Sequence, residues 1–158
     1  MPFYITVDGA DKEKERIEDY VYNVLKYFFK KEPRRNIDIE VTFNDELDAN
    51  AFGYCLGDMT EINIEIGRGA TWPVTDTDKT EYVPYSIKDQ MMTLSHELVH
   101  AKQYLRGDIK GYDRIWRKDG QYIDCSHIKD DKKLPWEIEA YDLEDKLYKT
   151  FWLGEASE

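Results

Sequence analysis

The segment between Ser86 and Gly107 leaves the chain little choice but to form one long amphipathic helix. Ser86 followed three residues on by Asp89 has the form of a capping box, and Gly107 is a natural stop. Between them Ile87, Met91, Leu94, Leu98, Ala101 and Leu105 recur at helical spacing. At about 100° per residue these side chains fall within roughly 40° of one direction, whereas His96 and His100 point roughly 180° and 220° away. The apolar stripe must be buried against a core, so the two histidines face something else. A histidine that served only as packing would sit within the stripe.

His96 and His100 stand one helical turn apart on one face, close enough to bind a single divalent metal through two ring nitrogens. Glu97 projects beside that position, where a carboxylate can take a proton from a water. Two histidines and a glutamate spaced His-Glu-x-x-His on a helix form the arrangement of zinc peptidases. A catalytic zinc takes three protein ligands and leaves one position open, so a third ligand must come from elsewhere in the chain.

A chain of 158 residues is expected to form one domain over residues 1–158, α+β in class. Its formal charge of −11 disfavours a grip on phosphate backbones or anionic membranes, so neither nucleic acid nor membrane is an expected partner. The start of the chain lacks a basic segment followed by an apolar run, and no stretch approaches a membrane span; the expectation is a cytoplasmic monomer. Cys55 and Cys125, the only cysteines, are far apart and read as two reduced thiols.

Residues 2 to 7 suggest a short strand ending at Asp8-Gly9. From Asp11, a candidate cap, the pattern turns helical, with Ile17, Tyr20, Val21, Val24, Leu25 and Phe28 in one stripe that runs out before Pro33. Residues 37 to 43 alternate cleanly between apolar and polar, as a half-buried strand does. A second strand is expected over residues 51 to 56. A third, over 61 to 67, carries Ile62, Ile64 and Ile66 toward the core and could lie at the lip of the cleft, open to an extended peptide. Residues 68 to 84 read as a loop, and residues 114 to 125 as a hairpin turning at Asp119-Gly120.

Pro135 fits the first position of a further helix, whose stripe is Trp136, Ala140, Leu143, Leu147 and Phe151. Beside it Glu137, Tyr141, Glu144 and Tyr148 form a row, while Glu139 projects roughly 160° from Glu137. Only one of Glu137 and Glu139 can therefore reach a metal from a given placement of this helix. The expected architecture is about three helices on a small mixed or antiparallel sheet, with a metal helix over 86–106 and a third-ligand helix over 135–152.

His96-Glu-Leu-Val-His100 followed by Pro135-Trp-Glu-Ile-Glu-Ala-Tyr141 resembles the gluzincin metallopeptidases, in which a second helix carries the third ligand in a Glu-x-x-Ala-Asp or Glu-x-x-Ala-Asn pattern. The chain is most similar to minimal zincin-like versions: the ImmA/IrrE-like and SprT-like peptidases and small metallopeptidase-like proteins common in phage genomes. The resemblance implies Zn2+ as cofactor, His96, His100 and Glu137 as ligands, and Glu97 as general base. Tyr141 stands where that pattern has Asp or Asn, so Asp142 or the Tyr141 hydroxyl would have to orient a ligand histidine. The SprT-like pattern uses a third histidine instead, for which His127 is the remaining candidate. His127, Tyr104 and Tyr141 are the candidate donors to a tetrahedral oxyanion.

The resemblance thus implies hydrolysis of peptide bonds in a specific protein substrate, with the acidic surface favouring a basic one. The alternative is a catalytically weak or inactive, phage-encoded zinc-binding interaction or regulatory module. Glu97 separates the two, because binding zinc needs the histidines but not that carboxylate.

Overall fold

Ile37, Ile39, Val41 and Phe43 are buried while Asp38 and Glu40 between them are exposed, so this strand lays one face on a core and the other in water. In the computed structural model, which describes residues 2–47 and 51–155, it is β2 (Ile37–Asn44). With β1 (Phe3–Asp8), β3 (Gly53–Gly57) and β4 (Glu61–Gly67) it forms a four-stranded sheet in the order β1-β2-β4-β3. β1, β2 and β4 run parallel and β3 runs antiparallel to β4, so the sheet is mixed.

The parallel pair β1 and β2 is joined by α1 (Lys14–Phe28), the crossover that parallel neighbours require. All six residues of the expected α1 stripe are buried. Asp11 does not cap this helix. It lies in a 3-10 turn (Asp11–Glu13) with φ 49°, and its carboxylate is 3.4 Å from Arg68.

The third strand read from the sequence, β4, is not at the lip of a cleft. Ile62, Ile64 and Ile66 are each no more than 1% exposed, and neighbours on both sides enclose the strand. The edge strand packed against the long helix that follows is β3 instead, with β1 at the opposite edge. The β3 positions Gly53, Cys55 and Gly57 share one side, and they are small for a reason. A Cβ at Gly53 would stand 2.7 Å from Thr93 Cγ2 and 2.9 Å from the Glu65 carbonyl oxygen.

The thread against which Gly53 presses is α2 (Ile87–Arg106), and its ends are as expected. Ser86 Oγ accepts from the Asp89 amide at 3.1 Å, and Gly107, at φ 76°, closes the helix in the left-handed conformation. Met91, Leu94, Leu98, Ala101 and Leu105 are buried. Ile87 departs from the stripe: it is 45% exposed in the first turn, so the core-facing run begins at Met91.

Two hairpins stand outside the main sheet. Residues 68 to 84, expected as a loop, contain β5 (Gly69–Pro73) paired with β6 (Thr80–Pro84). Every residue of β6 is exposed, so this hairpin carries no core-facing alternation for the sequence to display. Polar ties hold it to the body: Thr71 Oγ1 donates to Glu46 at 2.8 Å, and the Tyr82 hydroxyl donates to the Asp45 carbonyl at 2.8 Å. The expected hairpin is β7 (Ile115–Lys118) and β8 (Gln121–Asp124), turning on Asp119 and Gly120, which both have positive φ as a two-residue turn of this kind demands.

Pro135 opens α3 (Pro135–Leu147), which continues into a wider π turn (Tyr148–Trp152). α3 packs along α2, while a small cluster of Trp116, Cys125 and Leu134, with Trp136, Ile109 and Ile128 around it, fills the space under the β7–β8 hairpin. The result is an α+β fold of three helices with small mixed and antiparallel sheets. Both cysteines are free and buried. Among the described residues no helix is long and apolar enough to cross a membrane.

Because the contact between β3 and α2 leaves no room at Gly53, Gly53→Ala is expected to cost about 1–3 kcal/mol in stability. Urea denaturation monitored by circular dichroism checks this, and an unchanged midpoint would show that the strand can move away at no cost.

Candidate metal centre

The polar side of α2 faces α3 across a cleft of about 750 Å³. α2 brings His96, Glu97, His100 and Tyr104 to its wall, α3 brings Glu137, Tyr141 and Glu144, and the open strand β3 brings Gly53, Tyr54 and Cys55.

Three donor atoms converge within this cleft. His96 Nε2 lies 2.9 Å from Glu137 Oε1, His100 Nε2 lies 2.8 Å from the same oxygen, and the two Nε2 atoms are 3.2 Å apart. Four-coordinate zinc, with bonds of about 2.0–2.2 Å, holds its donors about 3.3–3.6 Å apart, so the group fits such an ion after opening by a few tenths of an ångström. Among the described residues, His96, His100 and Glu137 form the one group of three or more such side chains positioned to hold a metal ion.

The outer nitrogens of both rings are already engaged. His96 Nδ1 donates to Glu144 Oε2 at 2.9 Å, because a carboxylate can only accept. His100 Nδ1 lies 2.8 Å from Gln103 Oε1. The orientation of that amide is settled by its nitrogen, which donates to the Trp136 carbonyl at 3.0 Å and to Glu139 Oε1 at 3.1 Å. Gln103 Oε1 therefore accepts, and His100 Nδ1 donates. In neutral imidazoles both Nε2 lone pairs then point at one another and at Glu137, an arrangement that a bound cation relieves.

A proton is one such cation. Burial works against charge on His96, but hydrogen bonds to Glu137 and Glu144 and the nearby carboxylates outweigh it and raise the pKa to about 10. The same balance raises His100. Burial pushes Glu137 up, yet the hydrogen bonds from His100 and His96 prevail and hold it at about 2. Glu97, only 7% exposed, is raised by burial while the two histidines pull the other way, which makes it a more basic carboxylate than an exposed one.

The row on α3 faces the cleft through Glu137, Tyr141 and Glu144, whereas Tyr148 is buried in the core. Glu139 does not reach the donor group. His127 is exposed and stands apart from the cleft, so it is neither the third ligand nor a cleft donor; it lies on the turn beyond β8, near Asp124. Tyr141 lines the cleft with its ring 4.7 Å from the His96 ring, edge to face, but the partner of His96 Nδ1 is Glu144. Asp142 is exposed. The wheel explains this: Glu144 lies seven residues, or two turns, beyond Glu137 and so shares its face. Gln103 was absent from the reading of the sequence, although its place three residues after His100 put it within reach of that ring.

No protein-family model, no curated protein and no solved structure matches the chain, so the meaning of this centre rests on its geometry.

A metal ion would need a free Nε2 lone pair on both His96 and His100, whereas the carboxylates around the two rings favour their protonated forms. Adding zinc at pH 7.5 is therefore expected to release at least one proton per metal bound. Calorimetry in two buffers of different ionisation enthalpy measures this number, and binding heats that are identical in both would rule the protonated pair out.

Proposed function

We propose that the chain is a zinc-dependent metallopeptidase of minimal, zincin-like, gluzincin type. The observation that carries this reading is the convergence of His96 Nε2, His100 Nε2 and Glu137 Oε1 beside the buried Glu97, in a cleft bordered by an open strand edge.

His96, His100 and Glu137 would hold the ion, which when bound supplies Lewis acidity toward a water and a substrate carbonyl. The remaining steps belong to the chain. Glu97 takes a proton from the attacking water and delivers it to the leaving amine nitrogen. Burial, with the charges of Glu137 and Glu144, raises the Tyr141 phenol, so it stays protonated and can donate to the developing oxyanion at the cleft. Glu144 and Gln103 keep both imidazoles turned with Nε2 inward.

The substrate reading follows from the walls. β3 lies at the edge of the sheet and lines the cleft, so an extended peptide can pair with its free backbone groups. Asp89, Asp113, Asp131 and Glu144 also line the cleft against a single arginine, Arg114, which favours a segment with basic side chains.

The experiment is digestion of a mixed library of peptides by the zinc-loaded protein, read by mass spectrometry, beside Glu97→Gln. Cleavage by the parent, inhibition by chelator, and a loss of about 100-fold or more in Glu97→Gln with its zinc retained are expected. Equal cleavage by parent and variant would remove Glu97 from its role. Zinc binding without cleavage of any peptide would favour the metal-binding interaction module.

A further inference from the structure

Glu139 is excluded as a ligand, yet it occupies an unusual position for a residue without a function. Its carboxylate collects three donors: Lys102 Nζ at 2.6 Å, Gln103 Nε2 at 3.1 Å and Lys118 Nζ at 2.8 Å. Lys102 is 5% exposed, and its ammonium stands 5.1 Å from the centre of the Phe28 ring. Asp108, raised by burial and by the charge of Glu139, borders the same lysines. Replacing such a buried ionic cluster with apolar side chains often costs nothing in stability, so stability is a weak reason for its presence.

Its geometry offers a better one. The Glu139 carboxylate and the Trp136 carbonyl are both acceptors, and together they claim the two hydrogens of the Gln103 amide. With Glu139 held in place by two ammonium groups, Gln103 cannot flip. Its oxygen must face His100 Nδ1, and His100 must present Nε2 to the metal position. A neutral glutamine left to itself could turn its nitrogen to the ring and stabilise the other tautomer, whose Nε2–H faces the metal position.

We propose that Glu139 is a positioning residue for His100, acting through Gln103, and that Lys118 extends this line to the β7–β8 hairpin. The proposal rests on the metal reading above. It assigns a role to a carboxylate that touches neither metal donor nor substrate, and it makes the hairpin, which contributes no ligand, part of what sets metal affinity. Partners of this kind typically govern metal affinity by about 10–100-fold.

The test is zinc affinity, measured by competition with a chromophoric chelator, in Gln103→Ala, Glu139→Met, Glu139→Gln, Lys118→Met and the double variant Gln103→Ala/Glu139→Met. Gln103→Ala and Glu139→Met are each expected to weaken binding by about tenfold or more. Glu139→Gln, which keeps one oxygen for the Gln103 amide, should retain more affinity than Glu139→Met. The double variant should bind no more weakly than Gln103→Ala, because residues acting through one another do not lose affinity independently.

Parental affinity in Glu139→Met, or losses that multiply in the double variant, would overturn the proposal. Should Glu139→Met fail to fold, Lys118→Met serves in its place: its side chain is 39% exposed, and about threefold weaker binding is expected if it steadies Glu139. Parental affinity in that variant would also overturn the line through Glu139. A parent that binds zinc and loses it in Glu137→Ala, with Glu139→Met unaffected, would leave the metal reading standing without this inference. A parent that binds no zinc would remove both.

Discussion

The rest of the molecule depends on α2 being buried on two sides for opposite reasons. On one side Met91, Leu94, Leu98, Ala101 and Leu105 close the core over β3 and β4, and this burial removes their apolar surface from water. On the other side the same helix buries Glu97, Lys102 and Gln103, polar groups that are tolerated only where partners satisfy them. α3 supplies partners for Lys102 and Gln103, through Glu139 and the Trp136 carbonyl, whereas Glu97 faces the cleft. Glu137, Glu139 and Glu144 all come from α3, so the contact between the two helices is also the framework of the centre.

Two chains of hydrogen bonds leave the centre in different directions. One is short and ends at Glu144, on the face of α3 that lines the cleft. The other runs from His100 through Gln103 to Glu139 and its two lysines, and reaches the hairpin. Both present an N–H outward and a lone pair inward. Between them three electron-rich atoms meet at about hydrogen-bond distance, an arrangement that a shared proton or a metal ion would relieve.

How much of this was legible depends on the type of signal. The clean periodicity of α1, α2 and β2 survives in the structure because each turns one apolar face to the core, and period is what sequence displays most directly. Ser86 and Gly107 were readable as helix ends because caps are local chemistry. The β5–β6 hairpin was not readable, since an exposed strand such as β6 imposes no alternation. The placement of β4 was also hidden. Its alternating isoleucines announce one buried face but say nothing of whether a neighbour lies at each edge, which is a matter of pairing between distant segments.

The centre divides along the same line. Sequence by itself determined that His96, Glu97 and His100 share a helix and that the histidines face away from its apolar stripe, because spacing within one helix is enough to fix relative direction. It also determined that Glu137 and Glu139 could not both reach one point. Only the tertiary structure decided that α3 turns Glu137 inward, that Glu144 rather than Tyr141 or Asp142 holds His96, that His127 lies elsewhere, and that Glu139 answers to Gln103 and two lysines. Each of those contacts joins side chains about 20 to 50 residues apart, and a rotation of α3 by a fraction of a turn would exchange them. That rotation is set by how Ala140, Leu143 and Leu147 seat on their neighbours, a packing fact that no local pattern carries.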